Sequence, residues 1–181
     1  MMRFEQDDIA RVLDDSIEEL LLKDTALLVN DVSERAITHK LAEYLQARLA
    51  HYNVDCEYNR DATQGAYAPK RLRMLEDDAV AEMATQLQAR KVADISVVSA
   101  YPDIIVHRRL TNESNLLVIE VKKKNSRVDH EYDRKKLRAF TEKNGPNPYY
   151  YRYGVFLVFE TRHKSPRRPA PQWFVAGREQ K

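Results

Sequence analysis

Two short apolar runs that lie close together in the chain constrain its fold more than any other feature. Residues 103–109 read DIIVHRR and residues 116–122 read LLVIEVK, with the turn-rich segment LTNESN between them. Apolar runs of this length on either side of a turn predict two strands of an antiparallel hairpin. Side chains alternate along a strand, so one face is predicted to be aliphatic throughout: Ile104, Val106, Leu117, Ile119 and Val121. Such strands lie at the centre of a sheet that is covered on both sides.

The charged residues of this hairpin are predicted to gather on its other face. A turn centred in the middle of LTNESN predicts a register in which Asp103 lies opposite Lys122 and Ile105 lies opposite Glu120. Asp103 and Glu120 are then diagonal neighbours with Cα atoms about 7 to 8 Å apart, so both carboxylates reach one common point. A slip of the register by one residue would destroy this arrangement.

The other elements are predicted from hydrophobic periodicity and from end signals. Helices are predicted over 7–28, 32–50, 69–91 and 129–143, and further strands over 54–60, 153–160 and 172–177. This order predicts one α/β domain, 1–181, with a mixed central β-sheet flanked by helices. Two segments are predicted to lie outside its core of about 32–160: an acidic helical extension, 1–30, and a helical insertion, 61–91.

The composition is that of a globular domain, with 32% charged residues and only four glycines and seven prolines in 181 residues. The single Cys56 excludes an intramolecular disulfide, and no Cys/His spacing resembles a zinc site. The first residues, MMRFEQDDIA, are charged where a signal peptide is apolar, and no later apolar run approaches the roughly 18 residues that span a bilayer. We therefore expect a cytoplasmic protein that is neither exported nor embedded in a membrane.

Charge is distributed unevenly along the chain, although the net charge is only +2. Residues 1–34 carry ten acids against three bases, whereas residues 122–143 carry nine bases against four acids. This asymmetry suggests that one face meets phosphates, while a solvated surface is the commoner meaning of a lysine run.

Glu34 stands out on the predicted helix 32–50. At about 100° per residue it falls at the same angle as Leu41 and Leu45, on the apolar stripe. A carboxylate that faces a core is costly unless a cation or good donors meet it. The alternative is that Glu34 only closes a capping box with Asp31, three residues earlier, and the two roles can coexist.

Carboxylates and a lysine that converge in this way suit magnesium-dependent phosphodiester cleavage. Mg²⁺ prefers hard oxygen ligands, takes few protein carboxylates and keeps several waters. Asp103, Glu120 and the backbone carbonyl of Val121 are the predicted ligands, with Mn²⁺ as a substitute for Mg²⁺. Lys122 is predicted to orient or deprotonate the attacking water and to offset charge on the phosphorane. Glu34 is predicted to complete the shell or to hold a second metal.

The segments PDIIVH and LLVIEVKKK resemble the paired motif of the PD-(D/E)xK nuclease superfamily, which has a restriction-endonuclease-like fold. Pro102 and Asp103 match the first half of that motif, and Glu120, Val121 and Lys122 match the second. The resemblance implies a Mg²⁺-dependent nuclease that hydrolyses the phosphodiester bonds of DNA.

The resemblance covers residues from about 32 to 160. Glu34, on a helix that precedes the motif, matches the extra acidic position of many members, including Holliday-junction resolvases. The order of helix, strand, hairpin, helix and strand also resembles the family core. Residues 1–30 and about 61–91 have no counterpart in it.

Four basic residues are candidate contacts to nucleic acid, each with a plainer alternative. Arg60 either binds phosphate or pairs with an acid, and Lys123 and Lys124 are either loose phosphate contacts or solvated side chains. Lys136 either approaches the site from the helix 129–143 or packs along it. His107 shares the charged face of the hairpin, where a hydrogen-bonded structural role is favoured over a catalytic one.

Three functions are compatible with these features. The leading interpretation is a metal-dependent nuclease acting on DNA, although no base-reading module is visible and RNA stays open as a substrate. The second is a catalytically silent nuclease-fold domain that binds nucleic acid or a protein partner. The third is an interaction protein whose acidic first 30 residues pair with another subunit, for example in a homodimer.

Overall fold

The computed structural model describes residues 4–61, 69–75, 90–92, 95–127 and 129–180. Its helices are α1 (Gln6–Lys23), α2 (Thr25–Val29), α3 (Glu34–Arg48) and α4 (His130–Thr141). Its strands are β1 (Asn53–Cys56), β2 (Arg71–Leu75), β3 (Arg90–Val92), β4 (Ile95–Ser99), β5 (Ile104–His107), β6 (Leu117–Lys123), β7 (Tyr153–Phe159), β8 (Gln172–Val175) and β9 (Arg178–Glu179). Within the described ranges, no helix has the length and apolar character needed to cross a bilayer.

A six-stranded mixed sheet forms the centre of the molecule, in the order β1-β5-β6-β7-β8-β9. β6 and β7 are parallel, and the other neighbouring strands are antiparallel. A parallel pair needs a crossover connection, and α4 provides it between β6 and β7. The predicted mixed α/β architecture is therefore confirmed. β2, β4 and β3 form a separate three-stranded antiparallel sheet.

Helices cover both faces of the large sheet. On one face, the five aliphatic hairpin residues named above pack in a single buried cluster with side chains of α1, α2 and α3. On the other face, Ile105 and Val118 pack against Leu137 and Phe140 of α4. The predicted aliphatic face is confirmed. The acidic N-terminal segment also belongs to this core, because its apolar residues are fully buried there: Ile9, Leu13, Ile17 and Leu20.

The register of the β5–β6 hairpin differs from the predicted one by two residues. Ile104 pairs with Ile119 and Ile105 pairs with Val118, so Asp103 lies level with Glu120 rather than with Lys122. The prediction was wrong because the strands are joined by a nine-residue connection, 108–116, and not by the six-residue segment LTNESN with its turn in the middle. A shift of two residues keeps every side chain on its predicted face, since the period of a strand is two.

The start of α3 also differs from the prediction. Its N-cap is Ser33, whose Oγ accepts the N–H of Ala36 at 3.3 Å, and Glu34 is the first helical residue. The predicted capping box of Asp31 with Glu34 is therefore wrong. Asp31 instead follows Asn30, the C-cap of α2, and takes a left-handed φ of 52°. A left-handed residue at this place is typical of a helix end, so Asp31 belongs to the termination of α2.

The helical insertion predicted over 61–91 is wrong where the structure describes it. Residues 71–75 form β2 and residues 90–92 form β3, while 62–68 and 76–89 lie outside the described residues. In β2, Leu72 and Met74 are buried and Arg71 and Arg73 are exposed, which is the two-residue alternation of a strand. The three-residue spacing of Leu72 and Leu75 fits a helix, but the alternation of Leu72 with Met74 fits the strand that is observed.

Candidate active site

The candidate site lies where β5 begins and β6 ends. Asp103 immediately precedes β5, and its Oδ2 accepts the N–H of Val121 in β6 at 2.7 Å. This bond closes the end of the hairpin and holds the Asp103 carboxylate beside Glu120. Burial raises the pKa of Asp103, although the Val121 N–H and the nearby lysines oppose the rise. The two acids of the predicted motif are thus brought together, directly opposite one another in register.

Glu120 is fully buried, and its two carboxylate oxygens differ. Oε2 accepts a bond of 2.8 Å from Lys136 Nζ in α4, whereas Oε1 is buried without a hydrogen-bond partner in the described part of the chain. Burial raises the pKa of Glu120 well above its usual range, and Asp103 and Asp133 add to the rise while Lys136 opposes it. An ionised oxygen in this position is costly unless it meets a cation or a donor.

Asp133, in the first turn of α4, links two lysines. Its Oδ1 lies 3.0 Å from Lys136 Nζ, and its Oδ2 lies 3.2 Å from Lys122 Nζ. Lys122 also lies 3.7 Å from Glu34 Oε2. These contacts join side chains from α3, β6 and α4 in one group, together with Asp103. We call it the charged cluster: Glu34, Asp103, Glu120, Lys122, Asp133 and Lys136.

The charged cluster is short of positive charge. Its four carboxylates face two ammonium groups, so with all groups ionised it lacks two positive charges. Burial alone would lower the pKa of Lys122 and of Lys136, but neighbouring carboxylates outweigh burial and raise both. The pKa values of Asp103 and Glu120 are raised as well. Burial is the main cause for the two acids, whereas the raised pKa values of the two lysines come from the carboxylates around them and indicate a negative local potential.

Glu34 reaches the charged cluster but turns toward backbone. Its Oε1 accepts the N–H of Lys123 at 3.1 Å, and its Oε2 pairs with Lys122. The side chain is 32% exposed. The capping-box alternative for Glu34 does not hold, because its carboxylate bonds the end of β6 instead. In this arrangement Glu34 does not join Asp103 and Glu120 around a common point.

The residues present fit a divalent ion with fewer protein ligands than the sequence predicts. Within the residues that the structure describes, no three His, Cys, Asp or Glu side chains are grouped to hold a metal. Asp103 and Glu120 form a pair, and the free Oε1 of Glu120 is a suitable hard ligand atom. The Val121 carbonyl, 3.5 Å from Lys122 Nζ, adjoins them. Two carboxylates, a carbonyl and several waters are sufficient for Mg²⁺, so the set fits without Glu34 as a ligand.

Three of the residues predicted to contact nucleic acid lie near this site, and they differ in exposure and in the groups that they contact. Lys123 Nζ is held by Asp31 Oδ1 at 3.0 Å and by the carbonyl of Val32 at 3.2 Å. Lys124 is 71% exposed and pairs with Glu160 at 3.3 Å. Lys136 is buried within the charged cluster, so it contacts Glu120 rather than the surface.

Arg60 belongs to a second polar group. Its backbone carbonyl accepts a hydrogen bond from Lys70 Nζ, which lies 4.8 Å from the centre of the Tyr58 ring. The Tyr58 ring contacts His107, whose Nε2 lies 2.9 Å from Asp55 Oδ2. Burial lowers the pKa of His107. These contacts agree with the structural interpretation of His107, and they place the backbone of Arg60 in this group.

Asp133 and the pairing of Lys136 with Glu120 were missed by the sequence interpretation. A signal was present, since Asp133 and Lys136 share a stripe with Leu137 and Phe140 on the predicted helix 129–143. Charged side chains on an apolar stripe need partners. They therefore predict a buried polar contact, although they do not identify its other members.

Comparison of the chain with protein-family models, with curated proteins and with solved structures finds no match. A functional assignment therefore depends on the charged cluster and on the motif within it.

Proposed function

We propose that this protein is a Mg²⁺-dependent nuclease that hydrolyses phosphodiester bonds of DNA. The observation that carries the proposal is the pairing of Asp103 with Glu120, whose buried Oε1 has no partner in the described chain. The cluster around them lacks two positive charges, and one divalent cation supplies two. Acidic oxygens at this spacing beside a lysine are what metal-assisted phosphodiester cleavage requires.

The same proposal assigns the chain a restriction-endonuclease-like core of the PD-(D/E)xK type. Its support is the order α3, β1, β5, β6, α4 and β7, in which a hairpin precedes a helix and a parallel strand. The two motif halves, residues 102–103 and 120–122, lie side by side where that hairpin ends. The motif residues therefore lie at the end of the β5–β6 hairpin, which is where the proposed core would need them.

Asp103, Glu120 and the carbonyl of Val121 would hold the ion. When bound, Mg²⁺ polarises a phosphoryl oxygen and acidifies a coordinated water. Lys122 is held within reach of the site by Asp133, at 3.2 Å. Because the surrounding carboxylates raise its pKa, Lys122 is an ammonium group near neutral pH. We therefore assign it to orienting the water and to offsetting the charge on the phosphorane, in preference to deprotonation.

Lys136 and Asp133 position the groups that act on the substrate. Lys136 binds Oε2 of Glu120, which leaves Oε1 as the oxygen that would bind the ion. Asp133 lies between the two lysines and forms an ion pair with one through each of its oxygens. A site held by such supporting contacts loses less conformational freedom when it binds its ligands.

A second candidate function is a catalytically silent domain of the same fold that binds nucleic acid or a protein partner. The observation that favours it is that Lys136 already neutralises Glu120, while Glu34 is bonded to the backbone of Lys123. A cluster balanced by its two lysines and by protons on Glu120 and Asp103, whose pKa values are both raised, needs no ion.

Cleavage assays separate the two functions. Single-stranded, duplex and branched DNA, and RNA, would be incubated with the protein and Mg²⁺ or Mn²⁺. We expect DNA cleavage that needs the metal and is lost in Asp103→Asn, Glu120→Gln and Lys122→Ala. The control is Glu43→Gln, which alters an acid of α3 that is 55% exposed. Metal-independent binding without cleavage by the unmodified protein would favour the silent domain.

A further inference from the structure

The connection between β7 and β8 carries a run of exposed basic residues. We call residues 161–168, TRHKSPRR, the basic loop; it contains no acid. Its four strongly basic side chains are all exposed or partly exposed: Arg162, Lys164, Arg167 and Arg168. No role in the charged cluster accounts for them.

The basic loop begins beside the candidate active site. The N–H of Lys124 donates to the carbonyl of Phe159 at 2.8 Å, so the ends of β6 and β7 are adjacent. Asp31 joins the loop to β6, because its Oδ1 binds Lys123 Nζ at 3.0 Å and its Oδ2 binds Arg162 Nε at 2.6 Å. One carboxylate therefore separates the start of the basic loop from the strand that carries Glu120 and Lys122.

Local contacts order the basic loop. The N–H of Arg162 donates to the carbonyl of Leu28 at 3.0 Å, and the N–H of Ser165 donates to His163 Nδ1 at 3.3 Å. Pro166 lies within the loop, and Pro169, just after it, is buried. A loop that is already ordered loses less conformational entropy on binding than a disordered one.

The side chains of the basic loop are available to a partner. Lys164 and Arg167 have no ion pair among the residues that the structure describes. Arg168 pairs with Asp14, and both side chains are nearly half exposed. Exposed ion pairs contribute little, so Arg168 exchanges Asp14 for another anion at low cost.

We propose that the basic loop is a docking surface for the phosphate backbone of the nucleic acid whose phosphodiester bond reaches the charged cluster. This inference rests on the proposed function, since a substrate strand at Glu120 passes the adjacent ends of β6 and β7. Cations without fixed pairing geometry suit phosphates, which are bound mainly through charge and counterion release. The loop positions the substrate and does not read its sequence.

The test is the salt dependence of DNA affinity, measured on the intact chain without divalent ions so that no strand is cut. The loop variant is Lys164→Ala with Arg167→Ala. The control variant is Arg108→Ala with Lys143→Ala, which removes the same charge from exposed residues at the opposite end of the sheet. Binding of a short duplex by each protein would be followed over a range of salt concentrations. Thermal unfolding would verify that both variants fold.

We expect the loop variant to bind DNA more weakly, with a salt slope shallower by about 2, since each phosphate contact contributes roughly 0.9. The control is expected to keep the slope of the unmodified protein. Equal slopes for all three proteins, or equal losses in both variants, would overturn the inference while Mg²⁺-dependent cleavage still upheld the proposed function. An unmodified protein that binds no DNA even at low salt would overturn both. Polyglutamate that competes as strongly as DNA would show that the loop accepts acidic chains generally and would overturn its assignment to phosphates.

Discussion

Lys136 and Glu120 form a buried ion pair, with Lys136 Nζ 2.8 Å from Glu120 Oε2 and the two side chains 10% and 1% exposed. The pair joins α4 to β6 in the middle of the charged cluster. Buried ion pairs seldom add net stability over apolar contacts, because desolvation offsets their attraction. The pair instead fixes the position of Glu120, because Lys136 binds one carboxylate oxygen and leaves the other free.

Lys136→Met is expected to raise the affinity for Mn²⁺. The substitution releases Oε2 of Glu120 and leaves the cluster three positive charges short instead of two. In the absence of metal, the variant is expected to lose roughly 3 to 5 kcal/mol of stability, because its carboxylates are left unpaired. Added Mn²⁺ should recover part of this loss by binding the folded state.

Calorimetric titration with Mn²⁺ and urea unfolding with and without Mn²⁺ measure both effects. Lys135→Met, at the neighbouring position of α4, is the control and should leave Mn²⁺ affinity unchanged. A Lys136→Met protein that folds and binds Mn²⁺ no better than the unmodified chain would show that Lys136 does not compete with an ion at Glu120.

Glu34→Gln and Glu120→Gln are expected to affect ion binding to different degrees. In Glu34→Gln, the amide oxygen of the new side chain can still accept the N–H of Lys123, so the fold is kept and only one negative charge near the site is lost. We expect about a tenfold loss of Mn²⁺ affinity for Glu34→Gln, typical of a supporting group. Glu120→Gln removes a ligand and should abolish binding. Equal losses of Mn²⁺ affinity for the two variants, measured by calorimetry, would instead indicate that Glu34 is a ligand of the ion.

Lys70 makes stability depend on pH. Its side chain is buried, its Nζ donates to the carbonyl of Arg60, and burial lowers its pKa from 10.5 to about 8, with Asp61 and Asp55 opposing. Below pH 8 both folded and unfolded chains hold this proton. Between about pH 8 and 10.5 only the unfolded chain holds it, so the folded state gains stability as pH rises. The full gain is on the order of 3 kcal/mol.

Lys70→Met lacks this proton and isolates the effect. The free energy of unfolding of the unmodified protein, minus that of the variant, is expected to rise between pH 7.5 and about 9.5. Urea unfolding at several pH values measures the difference. A difference that stays constant or falls over this range would mean that Lys70 keeps an ordinary pKa in the folded protein.

The acidic N-terminal helix is expected to contribute to global stability. Leu13 is fully buried in the core cluster, and Leu13→Ala should cost about 2 to 5 kcal/mol through lost burial and a cavity. Leu22 lies on the same helix but is 75% exposed, so Leu22→Ala should change stability by less than about 0.5 kcal/mol. Denaturant unfolding compares the two. Similar small effects of the two substitutions would mean that this helix contributes little to the stability of the fold.

The faces of the central hairpin were predictable from sequence, while its register was not. The alternation of Ile104 and Val106 with Ile105 and His107 determines which side each residue faces, because the period is local. The pairing of the strands depends on the conformation of the nine residues between them, in which Leu110 takes a left-handed φ of 65°. An apolar residue gives no signal for such a turn.

The candidate site was predictable in part, from the motif and from the position of Glu34 on its helix. Asp103, Glu120 and Lys122 could be identified from two strand ends, and the structure brings them together with the predicted helix residue Glu34. The partner of Glu120 comes from α4, and no local pattern determines which helix covers a given strand. Packing of the whole sheet decides that contact.

The most direct test of metal binding at Asp103 and Glu120 is a crystal structure with Mn²⁺, in which anomalous scattering locates the ion. We expect an anomalous peak about 2 Å from Oε1 of Glu120 and from a carboxylate oxygen of Asp103, with Lys136 Nζ still bonded to Oε2 of Glu120. No anomalous peak between Asp103 and Glu120 in crystals soaked at saturating Mn²⁺, with Glu120 bonded only to Lys136, would contradict the proposed metal site.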